Sequence, residues 1–216
     1  QPSYFRGRLI YNYLYKGPEL EWYMKVKLSL EKNYQLFHDL LPKEGKLLDI
    51  GCGYGFMSYM LSFTAPQREI TGIDYDEEKI KTANHCFNKS ENTSFHFANA
   101  MDHAFEKYDG IILCDVLHYL QPHEQIKLVE KFIRHLQPNG TIIIREGNTN
   151  LKKRHIGTRF TEFFSTRFFG FNKTTVQGLS FLPGNLVKEI ATRQNIGYSE
   201  IDQSKFTSNI IYLLKN

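Results

Sequence analysis

Residues 47–55 read Leu-Leu-Asp-Ile-Gly-Cys-Gly-Tyr-Gly, an apolar strand with an acidic residue, Asp49, near its end, followed by glycine at every second position. Gly51, Gly53 and Gly55 remove three β-carbons where the chain must turn sharply and let a ligand approach the backbone, which is the requirement of a nucleotide-binding turn. The spacing narrows the nucleotide. It is Gly-x-Gly-x-Gly rather than the dinucleotide pattern Gly-x-Gly-x-x-Gly, and no Lys-Ser/Thr pair follows as a phosphate loop would need. A carboxylate at the mouth repels a pyrophosphate and attracts a cation.

Four more segments follow in order: Gly72-Ile73-Asp74, then Asn99-Ala100-Met101-Asp102, then the run from Tyr108-Asp109-Gly110 to Val116-Leu117-His118, then Leu136-Gln137-Pro138-Asn139-Gly140-Thr141. Together with the glycine turn they resemble the ordered motifs of the class I S-adenosylmethionine-dependent methyltransferases over roughly residues 45–145. One glycine-rich turn would be a weak signal; five segments in order are a strong one.

The resemblance implies S-adenosyl-L-methionine as cofactor and assigns residues to its parts. Backbone at Gly51, Cys52 and Gly53 approaches the amino-acid end and ribose, and Asp49 holds the ammonium and sulfonium side. Asp74, ending the second strand, offers two acceptor oxygens to the two ribose hydroxyls, with Tyr75 beside it. The alternative for Asp74 is a cap on the next helix. Asn99 stands where many relatives have aspartate; its amide can both donate to and accept from an adenine edge, with Ala100 alongside and Met101 packing on the ring or filling core. Asp115 and Val116 lie at the end of the fourth strand, where cofactor and substrate meet.

Methyl transfer from a sulfonium is an in-line displacement, so the protein aligns the acceptor and removes its proton where it carries one. His118 is the best base by position and by its near-neutral reference pKa, against the alternative that it packs beside the cofactor. Arg145, Glu146 and His155 rank second. The stretch Asp115-Val116-Leu117-His118-Tyr119 lacks the Asn/Asp-Pro-Pro-Tyr/Phe sequence of many enzymes that methylate exocyclic amines, and it resembles instead small-molecule and lipid methyltransferases.

The elements that must position these residues alternate. Strand-like runs at 46–50, 70–74, 94–98, 108–114 and 141–145 are separated by helical patterns at about 55–64, 76–89 and 122–136, which predicts a parallel sheet covered on both faces. A helix at 183–195 and two strands at 197–203 and 208–214 then predict an antiparallel hairpin at the sheet edge, because their connection is too short for a crossover. The fold class is therefore α/β, a Rossmann-like doubly wound sheet of seven strands with one antiparallel strand and an N-terminal helical lid. Within a single domain, residues 1–44 form the lid and first helix, 45–145 the cofactor-binding core, 146–182 a substrate-covering insertion and 183–216 the terminal helix and hairpin.

Residues 1–16 are rich in tyrosine and basic residues but too irregular for a helix, while Pro18 to Leu41 reads as one helix. Tyr11, Tyr13 and Tyr15 suit either a lid or packing. In the insertion, Lys152, Lys153 and Arg154 precede Phe160, Phe163, Phe164, Phe168, Phe169 and Phe171.

With 216 residues the chain suits one α/β domain, and its net charge of +4, from 27 basic and 23 acidic residues, is too mild for a dedicated nucleic-acid binder. Cys52, Cys86 and Cys114 have no metal-ligand spacing, so no metal site is indicated. No apolar run reaches a membrane span and no signal-peptide pattern opens the sequence, so the protein reads as soluble and cytoplasmic; Gln1 in place of Met fits a trimmed product or a piece of a longer polypeptide.

These features predict methyl transfer to a small organic or lipid-like acceptor, aromatic or presented on an acyl carrier protein. The whole pattern is similar to methyltransferase domains of bacterial aryl-polyene and flexirubin-type pigment synthesis. The alternatives are an RNA or protein methyltransferase, and a non-catalytic module that binds S-adenosylmethionine.

Overall fold

The structure is a computed structural model that describes residues 2–31, 33–148, 180–183, 185–202 and 209–216. Lys152, Lys153, Arg154, His155 and the six phenylalanines from Phe160 to Phe171 lie outside the described residues. Seven strands, β1 (Gly45–Ile50), β2 (Arg68–Asp74), β3 (Thr93–Phe97), β4 (Tyr108–Cys114), β5 (Leu136–Gly147), β6 (Gly197–Ile201) and β7 (Asn209–Lys215), form one sheet in the order β3-β2-β1-β4-β5-β7-β6. β1, β2 and β3 pair in parallel, while β7 runs antiparallel to both β5 and β6. The reversed strand and the edge hairpin are thus where the tail pattern predicts them. The chain divides into two compact units, Gln1–Gly110 and Ile111–Asn216.

In the first unit five helices accompany the strands: α1 (Pro2–Tyr11), α2 (Pro18–Leu30), α3 (Tyr34–Leu40), α4 (Phe56–Thr64) and α5 (Glu77–Asn84). Two expectations need correction. The N-terminal stretch is helical, because Leu9 of α1 and Tyr13 just beyond it bury completely in a cluster with Met24, Phe56, Tyr59 and Phe63; tertiary burial there outweighs a weak local pattern. Tyr13 takes the packing role, its ring edge-on to Phe56 at 4.9 Å and its hydroxyl donating to the carbonyl of Tyr54 at 2.6 Å. The single helix predicted from Pro18 to Leu41 is two helices, since Glu31 turns extended at ψ 113° and its carboxylate accepts the N–H of Asn33 at 2.9 Å. Beyond the break Tyr34 still joins the core cluster of Met24 and Leu28, and Phe37 is fully buried.

Arg68, at the start of β2, ties these helices to the sheet. Its fully buried guanidinium donates to the carbonyls of Pro42 at 2.7 Å, Leu61 at 3.0 Å and His38 at 3.2 Å, which are groups near the carboxyl ends of α3 and α4. The Leu61 carbonyl also accepts the Ala65 N–H at 3.1 Å, and a cation suits the negative end of the helix dipole. Burial pulls the guanidinium down to about 10, so it stays charged at neutral pH.

In the second unit α6 (Pro122–Arg134) begins with proline in its first turn, and the Glu124 carboxylate accepts the N–H of Gln121 at 2.9 Å. α7 (Leu186–Arg193) precedes the hairpin. β5 starts earlier than predicted, at Leu136, but its ladder with β7 runs only from Thr141 to Gly147. Asn139 takes a left-handed φ of 63° within the Pro-Asn-Gly sequence, so the expected turn survives as a kink at the strand's start. Ile142, Ile143 and Ile144 are fully buried.

Candidate functional site

The glycine turn is built around β2. The N–H groups of Gly51 and Cys52 both donate to the carbonyl of Ile73, at 2.8 and 3.1 Å, and the N–H of Gly55 donates to the carbonyl of Cys52 at 2.8 Å. The N–H of Gly53 donates to Asp74 Oδ2 at 2.8 Å. Four backbone donors of the turn are therefore used inside it. Glycine is required at Gly55, whose φ is 78° and where a β-carbon would lie 2.7 Å from the Phe95 ring. At Gly53, φ 55°, a β-carbon would meet only the stem of Lys79 at 3.8 Å, so the turn's backbone stands open to a ligand there.

Asp49 and Asp74 flank this turn, both buried. Asp49 accepts a 2.5 Å hydrogen bond from Ser58 Oγ, and burial raises its carboxyl from 3.8 to about 6, with Asp74 adding to the rise. Nothing but Ser58 donates to that carboxylate among the described residues, so a cationic ligand would stabilise its charged form. Asp74 is not the helix cap. That role belongs to Asp76, whose Oδ1 accepts the N–H groups of Glu78 and Lys79 at 3.1 and 3.3 Å. Asp74 instead accepts from Gly53 through one oxygen and from the N–H of Asp76 through the other, at 2.8 Å each, which sets the carboxylate's plane and leaves a second lone pair on each oxygen. Cys52 faces the same carboxylates, and burial followed by their charge pushes its thiol well up, so it stays protonated. Tyr75 is exposed beside Asp74.

Asn99 closes a local turn: its Oδ1 accepts the N–H of Met101 and its Nδ2 donates to Asp102, both at 2.9 Å. Asn99 is exposed, and Ala100 and Met101 are half-buried.

In the second unit, Asp115 follows β4 with a left-handed φ of 58°, its carboxylate paired with the Arg145 guanidinium and its N–H donating to the Arg145 carbonyl at 3.0 Å. Val116 leads into a short turn of helix, Leu117–Tyr119. His118 in that turn is 1% exposed, and its Nδ1 lies 2.6 Å from Glu146 Oε1 at the end of β5. Glu146 also accepts the backbone N–H groups of Leu117 at 2.9 Å, His118 at 3.3 Å and Gly147 at 3.0 Å. Backbone N–H groups can only donate, so both Glu146 oxygens accept, and an ionised carboxylate there would hold the His118 proton on Nδ1.

Residues 47–140 match the methyltransferase domain family. The chain is similar to YqeM of Bacillus subtilis (strain 168), 30% identical over 109 residues that make up 48% of this chain and 42% of that protein. Its fold superposes on the PH0226 protein from Pyrococcus horikoshii OT3 with a TM-score of 0.67 at 20% identity, covering 88% of this chain and 90% of that one. It also superposes on the N-methyltransferase NodS from Bradyrhizobium japonicum WM9 in complex with S-adenosyl-L-homocysteine, with a TM-score of 0.60 at 18% identity over 87% of this chain and 86% of that one. Over residues 47–140 the chain is thus similar to class I S-adenosylmethionine-dependent methyltransferases. It spans about half or less of the length of the curated relatives it matches.

The residues of the glycine turn fit S-adenosylmethionine. S-adenosylmethionine carries positive charge and two ribose hydroxyls, and the turn offers a buried carboxylate, a second carboxylate with spare lone pairs, and open backbone at Gly53. Sequence reasoning missed Ser58, Gln125 and Phe181. Ser58 was visible only as a hydroxyl in the first turn of α4, and its reach to Asp49 depends on how that helix lies against β1. Among the described residues no group of His, Cys, Asp and Glu could hold a metal ion, and no helix is long and apolar enough to cross a membrane.

Proposed function

We propose that this methyltransferase transfers a methyl group to a proton-bearing oxygen or nitrogen of a small organic or lipid-like acceptor, with His118 as general base. The carrying observation is the 2.6 Å contact between His118 Nδ1 and Glu146 Oε1. With the proton held on Nδ1, Nε2 is the ring's basic atom, and it takes the acceptor's O–H or N–H proton as the new bond to carbon forms. Glu146 keeps the imidazole in that tautomer and balances the imidazolium charge that follows.

Bound at the glycine turn, S-adenosylmethionine supplies an electrophilic methyl carbon on a sulfonium. Asp49 would meet the cationic end and Asp74 the ribose, with Gly51, Cys52 and Gly53 giving close backbone approach. Tyr75, Asn99, Ala100 and Met101 would border the adenine, and Asp115 and Val116 complete the cofactor residues. An acyl carrier protein as partner rests on the sequence of Lys152, Lys153 and Arg154, and comparing free with carrier-bound acceptor tests it.

The test is a panel of phenols, amines, carboxylic acids and lipid analogues offered with S-adenosylmethionine, reading S-adenosylhomocysteine release and products heavier by one methylene. His118→Gln should lower turnover about 10²–10⁴-fold, the usual share of a general base. Full turnover in that variant would remove His118 as base. Release with RNA or protein alone would transfer the reading to those acceptors.

A further inference from the structure

Residues 180–182 lie directly on His118. The Ser180 N–H donates to the His118 carbonyl at 2.9 Å, the Phe181 ring stacks on the imidazole with centroids 5.3 Å apart at 25°, and Leu182 forms a parallel bridge with Asn148. The short segment is held from α6 by Gln125, whose Nε2 lies 2.6 Å from the carbonyl of Ser180, 3.0 Å from that of Leu117 and 3.1 Å from that of Leu120.

An amide nitrogen has two protons, and here three carbonyls surround it. Gln125 Oε1, meanwhile, is buried with no hydrogen-bond partner among the described residues. If Ser180 withdraws, Leu117 and Leu120 still use both protons, so Gln125 loses nothing and the Ser180 carbonyl passes to water. The latch therefore holds the segment more weakly than three contacts suggest.

We propose that Ser180–Leu182 is a strap that must be displaced to admit an acceptor to His118, with Gln125 as its latch and Phe181 as the plug over the imidazole. This rests on the reading of His118 as base and adds how that base is reached. Closed, the strap keeps the imidazole out of water; open, it frees the volume of the Phe181 ring beside the imidazole, so an acceptor with an apolar part near its reacting atom can fill that volume while its proton meets Nε2 in the ring plane.

The experiment is histidine modification of the full chain by diethyl pyrocarbonate, with the rate at each histidine followed by mass spectrometry and exposed His96 as internal reference. His118 should react far more slowly than His96 in the unaltered protein. Phe181→Ala should speed it by roughly three- to tenfold, and Gln125→Met by less, about twofold, because the amide keeps two acceptors when Ser180 withdraws, while His96 stays constant. Phe181→Leu, which keeps an apolar plug, should protect His118 better than Phe181→Ala and stands in if the alanine variant does not fold. His118 reacting as fast as His96 in the unaltered chain, or at an unchanged rate in the folded variants, overturns the strap. A rate that responds while His118→Gln keeps full turnover leaves the strap standing and removes the base.

Discussion

Ser58 Oγ lies 2.5 Å from the carboxylate of Asp49, nine residues earlier in the chain, and both side chains are buried. This hydroxyl is the one donor that offsets the burial of Asp49 most, yet the carboxyl remains raised to about 6. A carboxylate half-protonated just below neutrality is sensitive to any cation placed beside it.

Cofactor affinity should therefore depend on pH. A bound cation favours the charged carboxylate and lowers its pKa, so binding is tightest where Asp49 is already ionised. Calorimetry with S-adenosylmethionine should give a dissociation constant that is flat above pH 6 and rises toward tenfold per unit below it, as single-proton linkage requires. Ser58→Ala should move the onset upward. For the unliganded chain the sign is opposite: a carboxyl raised from 3.8 to about 6 contributes stability that is fully present below 3.8 and lost as pH rises through 6. A flat affinity profile from pH 5 to 8 would detach Asp49 from the cofactor.

Asp74→Ala should weaken cofactor binding by about 1.5–3 kcal/mol, the range for hydrogen bonds to a charged group, and leave the N–H groups of Gly53 and Asp76 without their acceptor. Asp74→Asn, with one carbonyl oxygen, should fall between. Titration with S-adenosylhomocysteine measures both, and an unchanged constant in folded Asp74→Ala would confine Asp74 to bracing the turn.

Arg68→Met keeps the volume but leaves the carbonyl of Pro42 without its donor and takes one donor from those of Leu61 and His38, which keep the Ala65 N–H and the Lys43 ammonium. With a buried orphan at about 1–3 kcal/mol, a loss of about 2 kcal/mol is expected, seen as a melting temperature lower by roughly 4–8 °C. Calorimetric melting of the variant checks this, and a shift under two degrees would show that water reaches those carbonyls.

Glu146→Gln tests the tautomer directly. In nitrogen-15 spectra of histidine-labelled protein, neutral His118 should carry its proton on Nδ1, because Glu146 accepts it. The glutamine variant should show the tautomer signal shift or split. An Nε2-protonated ring in the unaltered protein would deprive the proposed base of its lone pair.

What the sequence determined by itself was set by local chemistry and by order along the chain. The glycine spacing, the acidic residues that end the first two strands and the alternation of apolar strands with helical stretches were legible because backbone geometry and period-2 or period-3.6 burial act over a few residues. The reversed last strand was legible too, since a short link forbids a parallel crossover. The tertiary structure alone decided the pairings between distant residues: Asp49 with Ser58, Arg68 with the carbonyls of Pro42 and Leu61, His118 with Glu146, and Phe181 over His118. It also decided that α1 is a helix, because complete burial of Leu9 and Tyr13 supplies the stability that their irregular neighbourhood lacks. Asp74 and Asp76, two residues apart and of the same type, show the limit most plainly: only the direction of each carboxylate made one the brace of the glycine turn and the other the cap of α5.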